Sequence, residues 1–123
     1  MGKRVHVIKK MAEYGSDGFN WKQQEFKRLL DTLGCDTNGE DYADSFECTA
    51  ESFKKAIALL KEYHEEGRSE KVIKKFDDEY LDIDDVDDCI KSLNESLDYI
   101  IYTMEWFYKT RDKSADYIMF ECW

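Results

Sequence analysis

A chain of 123 residues, 42% hydrophobic and 15% aromatic, is the size of one domain and holds enough apolar material to bury a core without metals or disulfide staples. Its formal charge of −10 is uneven: residues 1–34 carry 7 basic and 4 acidic side chains, residues 35–123 carry 11 and 24. That field repels nucleic-acid phosphates and anionic membranes, and it steers a basic partner.

No apolar run approaches the roughly 18 to 20 residues of a membrane span. The opening Lys3-Arg4-Val5-His6-Val7-Ile8-Lys9-Lys10 lacks the apolar stretch of an export signal, so the sequence reads as a cytoplasmic single domain over 1–123. Residues 3–10 alternate around Val5, Val7 and Ile8, the pattern of a strand. Residues 11–18, with Gly15, Ser16, Asp17 and Gly18, read as a loop. Asn20 and Gln23 have the spacing of a capping box, and Phe26, Leu29, Leu30 and Leu33 follow at helical intervals, predicting a helix over 21–33 that Gly34 closes.

A polar stretch, 35–44, leads to a short strand candidate at 45–48. Thr49 is a good N-cap, Cys48 and Phe53 stand where a hydrophobic staple would form, and Phe53, Ile57, Leu60 and Tyr63 make a helical face ended by Gly67. Ser69 caps a shorter helix built on Val72, Ile73, Phe76 and Tyr80.

The longest regular pattern is Val86, Ile90, Leu93, Leu97, Ile100, Met104 and Phe107, spaced alternately by 4 and 3. Only a helix turns that spacing into one apolar face, so it predicts a helix over 84–110, roughly 40 Å long and as wide as the domain. Its flanking positions lack the charges of a two-stranded coiled coil, which favours a place in a globular core. The final stretch, 116–123, is rich in β-formers and predicts a strand that pairs with 3–10. The fold class is therefore α+β, a small two- or three-stranded sheet joining the two ends of the chain, packed with about four helices.

Two features of the long pattern bear on function. Acidic residues crowd its approach and first turn, at Asp77, Asp78, Glu79, Asp82, Asp84, Asp85, Asp87 and Asp88. Carboxylates in a first turn complement the helix dipole, and Asp84 can cap, but Asp77, Asp78 and Glu79 close the preceding helix, where the dipole disfavours them. They ask for another reason: a solvated face is the first reading, a site for a basic partner the second, and a metal the third. Tyr99, Tyr102 and Trp106 form a second stripe off the apolar face. Covered, they belong to the core; exposed, they are the kind of aromatic patch that dominates binding energy or pairs two copies of the chain.

Chemistry leaves fewer signs. Cys35, Cys48, Cys89 and Cys122 are scattered without a Cys-x-x-Cys, so they read as reduced thiols packed as small apolar groups, with no structural metal and no cofactor. Asn94-Glu95-Ser96 matches a glycosylation sequon inside the expected helix of a chain without an export signal, and is set aside. Asp36, Asn38, Glu40, Tyr42, Asp44 and Glu47 fall at positions 1, 3, 5, 7, 9 and 12 of a calcium loop, but Asp41 stands where the loop needs glycine, and Gly39 is two places early. His64-Glu65-Glu66-Gly67-Arg68 breaks the zinc-protease motif at its last position, and neither a phosphate loop nor a nucleophile elbow is present.

The leading expectation is a non-enzymatic binding module of the inhibitor, immunity or antitoxin kind. It would meet a basic protein through Asp77, Asp78, Glu79, Asp82, Asp84, Asp85, Tyr99, Tyr102 and Trp106, and bind neither nucleic acid nor membrane. The rivals are a calcium-binding protein using 36–47 and an enzyme whose site is assembled only in three dimensions; a homodimer is compatible with each.

Overall fold

A computed structural model describes residues 5–9, 12–17, 22–37, 45–67, 69–78, 83–94 and 96–122, with the backbone alone at 5–9, 12–17, 77 and 122. In chain order the elements are β1 (Val5–Lys9), β2 (Ala12–Asp17), α1 (Gln23–Thr32), β3 (Ser45–Thr49) and α2 (Ala50–Glu66). They continue with α3 (Glu70–Asp78), α4 (Ile83–Leu93), α5 (Leu97–Thr110) and β4 (Tyr117–Cys122). The architecture is α+β, and the strands from the two ends of the chain do pair.

β1 runs antiparallel to β4 with Val7 opposite Phe120 and Ile8 opposite Met119. The sheet is larger than two or three strands: its order is β2-β1-β4-β3, every neighbour antiparallel. The additional member is β2, which occupies most of the stretch expected to be a loop. Its Gly15-Ser16-Asp17 composition is poor for a central strand, but β2 lies at an edge, where packing demands are lowest. The pairing also slips between Val7 and Ile8, since Val7 faces Gly15 while Ile8 faces Glu13. Tyr14 is the extra residue of that bulge, which lets an irregular sequence join the ladder.

Alternation along β3 and β4 makes the sheet two-sided. Phe46, Cys48, Ile118 and Phe120 are buried, whereas Tyr117 and Met119 are exposed. The buried side meets the helices in a cluster of rings. Phe120 lies 5.6 Å from Phe26, 5.2 Å from Phe46, 5.6 Å from Phe53 and 5.9 Å from Phe107, centroid to centroid, so one strand residue joins α1, β3, α2 and α5. These separations suit edge-to-face and offset packing.

Local signals set most helix ends. The Ser52 amide donates to Thr49 Oγ1 at 3.1 Å and the Val72 amide to Ser69 Oγ at 3.3 Å, the caps expected for α2 and α3. Gly34 has φ +92°, and beyond it the Cys35 amide returns to the Leu30 carbonyl at 2.9 Å, closing α1. The start of α1 departs from expectation: Lys22 occupies the N-cap without a side-chain bond, while Asn20 and Trp21 lie outside the described residues. Tyr80, expected in α3, also lies outside them.

The expected long helix is two helices, which brings the number among the described residues to five. α4 ends at Leu93, Asn94 adopts φ +53°, and Ser96 begins α5 by accepting the Tyr99 amide at 3.2 Å. Leu93 and Leu97 keep helical spacing across the junction, so the apolar ladder survives a break in the backbone beneath it. Asn is among the few side chains that tolerate the left-handed region, and Ser is a preferred N-cap. The sequon therefore lies at a helix junction, not within a helix. The longest helix is α2, 17 residues and about 25 Å.

Glycine at position 94 fits the same backbone, so Asn94→Gly should leave the urea midpoint nearly unchanged. β-branched Asn94→Val should cost about 1–2 kcal/mol. Equal midpoints for the two variants would show that the left-handed turn does not set the break.

Candidate functional site

The acidic segment is divided between the end of α3 and the beginning of α4. Asp78, Asp84, Asp85 and Asp88 are exposed. Glu79 and Asp82 lie outside the described residues, as does the side chain of Asp77. Because α4 starts at Ile83, Asp84 is not the cap; it shares the first turn with Asp85, where both complement the helix dipole. Asp87 is turned inward and accepts a hydrogen bond from the Tyr63 hydroxyl on α2.

That bond ties α4 to the far end of α2, at a tyrosine only 8% exposed. Tyr63→Phe keeps the packed ring and removes this bond, so it should lower stability by about 1 kcal/mol in urea unfolding. An unchanged midpoint would show that the bond adds nothing to stability.

Several acids elsewhere are paired with basic neighbours. Glu51 pairs with Lys55 at 3.4 Å, Glu105 with Lys61 at 3.0 Å, Glu66 with Lys71 at 3.7 Å and Asp31 with Lys27 at 3.2 Å. Glu62 pairs with Lys75, and Asp98 lies 2.6 Å from Nε2 of His64. By contrast, Asp78, Asp85 and Asp88 make no ion pair among the described residues. Asp85 and Asp88 instead border a polar hollow of about 200 Å³ between α1 and α4, with Glu25, Arg28, Thr32, Cys89 and Ser92.

The aromatic stripe is split by the packing of α5 between α2 and β2. Tyr102 is 62% exposed, Tyr99 is half-buried, and Trp106 is half-buried against the core with its ring 6.0 Å from Phe107. The three residues are thus neither wholly core nor one open patch, and Tyr102 is the member that presents a broad surface. On its α2 side, α5 borders a shallow groove of about 280 Å³ lined by Lys54, Ile57, Ala58, Lys61, Glu105 and Tyr108. Arg111 closes α5 by stacking its guanidinium 3.7 Å above the Tyr108 ring and donating to the Tyr108 carbonyl at 2.6 Å.

Two cysteines that sequence spacing leaves unrelated are brought together. Cys35, just past α1, and Cys48, in β3, are both buried, and each thiol is the strongest influence on the other's ionisation. Cys48 holds the Cys35 thiol below its ordinary range, against burial, and Cys35 together with burial drives Cys48 upward. The reading of packed reduced thiols fits their burial but misses the pairing. Cys89 is separate: burial pushes it up to about 11, opposed by Arg28 and reinforced by Asp85, Asp88 and Glu25, so it stays neutral at ordinary pH.

For the calcium register, residues 38–44 lie outside the described residues. Glu47, its twelfth position, is in β3 opposite Met119, ahead of a helix that starts only at Ala50, whereas a calcium loop delivers that carboxylate at the start of its outgoing helix. Among the described residues no group of three or more His, Cys, Asp or Glu side chains is placed to hold a metal ion, and no helix is long and apolar enough to cross a membrane. Compared with protein-family models, curated proteins and solved structures, the chain matches none.

Proposed function

We propose that the protein is a binding module for a basic protein partner, engaged through the acidic end of α3 and the outer turns of α4, in the manner of an inhibitor, immunity protein or antitoxin. One contrast carries this reading: the acids of α2 and α5 are largely matched by lysine or histidine, whereas exposed Asp78, Asp85 and Asp88 are left without an ion pair among the described residues. Exposed ion pairs add little to folding stability, so the acids unmatched within the fold are the ones whose charge is fully available to a partner. Asp78 adds a second argument, because it closes α3 where the helix dipole disfavours negative charge.

A cationic surface would be drawn to this region by long-range attraction and would then bury Tyr102, the largest aromatic surface on α5. Glu79, Asp82 and Asp77 belong to the same segment of sequence and extend the proposed contact. Immobilised protein incubated with lysate at low salt should retain a basic protein and release it at high salt, since exposed charge interactions are screened within about 10 Å at 0.1 M. Failure of the folded protein to retain any basic partner at low salt would sink the proposal.

A further inference from the structure

The strongest unassigned chemistry is the pair Cys35 and Cys48. The sequence separates them by a polar stretch, yet the fold places the residue just beyond α1 beside the last buried position of β3. Cys35 is 1% exposed and Cys48 is 0% exposed. Their chain neighbours Gly34 and Thr49 line one surface cleft with Leu33, Glu51, Ser52 and Lys55, so the two backbones converge independently of the thiols. The two thiols act on each other's ionisation, as does the Ser52 side chain, whose hydroxyl donates to the Thr49 carbonyl at 3.0 Å.

We propose that Cys35 and Cys48 are a peroxide-oxidisable dithiol that closes to an intramolecular disulfide between the end of α1 and β3. Cys35 is the attacking sulfur, because its thiol is held below its ordinary range while that of Cys48 is pushed up. The Cys35 thiolate attacks one oxygen of hydrogen peroxide; a sulfur–oxygen bond forms, the oxygen–oxygen bond breaks, and the departing hydroxide takes a proton to become water. Cys48 then attacks the Cys35 sulfenic acid. The sulfur–sulfur bond forms, the sulfur–oxygen bond breaks, and the hydroxyl leaves as a second water with the Cys48 proton. Two thiols lose two electrons and one peroxide gains them.

Burial sets the choice of oxidant. Peroxide is little larger than water, whereas a peptide disulfide such as oxidised glutathione must bring a bulky group in line with a sulfur that has almost no exposed surface. Cys89, raised by burial and without a second thiol in the hollow it borders, is the internal comparison.

The test is intact mass and peptide mapping of the folded, reduced protein after hydrogen peroxide. The expected product has lost two hydrogens, reverts with dithiothreitol, and yields a peptide joining Cys35 to Cys48. Oxidised glutathione at the same concentration should give at least tenfold less of it. In urea, where the fold no longer selects a pair, the Cys35–Cys48 link should lose its dominance over other pairings. In Cys48→Ser, checked for folding by circular dichroism, the sulfenic acid should persist at Cys35 and be trapped when the oxidised protein is unfolded in urea containing dimedone. Oxygen addition without loss of two hydrogens, a disulfide between other cysteines, or the same pairing preference in urea as in the folded state would overturn the proposal.

Discussion

Phe120→Ala should cost about 3–5 kcal/mol, the largest loss expected from a single substitution in this protein. Phe120 is fully buried at the centre of four other rings, and those rings come from α1, β3, α2 and α5. Truncation removes the favourable transfer of a phenyl group, roughly 2–3 kcal/mol, and leaves a cavity that the surrounding rings can fill only by leaving their preferred geometry. Domains of this size have total stabilities of about 5–15 kcal/mol, so the variant should be marginal at 37 °C. Phe120→Leu retains much of the volume and should cost about 1–2 kcal/mol. Urea unfolding of both gives the comparison; a midpoint for Phe120→Ala within error of the parent would place the core elsewhere.

Gly67→Ala should cost about 1–3 kcal/mol for a reason unrelated to packing. Gly67 ends α2 at φ +61° and ψ −137°, and a Cβ built there would meet nothing within 4 Å. With space open, the cost is conformational: an L-residue is strained at these dihedrals, while glycine is not. The mirror image of this geometry lies near the polyproline region, so D-alanine, introduced by semisynthesis, should fit and stabilise by removing freedom from the unfolded chain. Equal stabilities for the L- and D-alanine proteins would contradict the assignment. The turn also matters for function, because it releases the chain from α2 towards α3 and the acidic segment.

What the sequence discloses about this fold follows the range of the forces involved. Thr49, Ser69, Gly34 and Gly67 act on backbone groups within a few residues, and each marks the boundary expected of it. The pairing of β1 with β4 is legible because both strands carry strong β-formers. β2 is not, since Gly15, Ser16 and Asp17 are turn residues by composition, and it is membership of the sheet edge that makes them a strand. The junction at Asn94 is hidden by a different cause. Hydrophobic spacing records which side chains face the core, and Leu93 and Leu97 face it whether or not the helix between them is continuous.

The candidate site was legible as a segment but not as a surface. Charge density marks the stretch from Asp77 to Asp88, yet only the placement of α4 on α1 and within reach of Tyr63 could turn Asp87 inward and leave Asp85 and Asp88 outside. Likewise, helical spacing grouped Tyr99, Tyr102 and Trp106, and the neighbours of α5 then separated them. Cys35 and Cys48 left no motif at all, because their proximity is a product of the α1–β3 arrangement.

The claim that the acids of α3 and α4 form the partner-binding surface is tested most directly by two charge-matched triple variants. Asp78→Asn/Asp85→Asn/Asp88→Asn removes three exposed acids without ion pairs at α3 and α4, and Glu51→Gln/Glu62→Gln/Glu105→Gln removes three acids paired with lysines. Both change the net charge equally, so any difference reports location. If each unpaired acid contributes about 0.5 kcal/mol to the complex, the first variant should bind the retained basic partner roughly tenfold more weakly than the parent protein. The second should stay within about threefold of the parent. Equal losses would mean that net charge alone attracts the partner, and a greater loss in the second variant would place the binding surface on α2 and α5 instead.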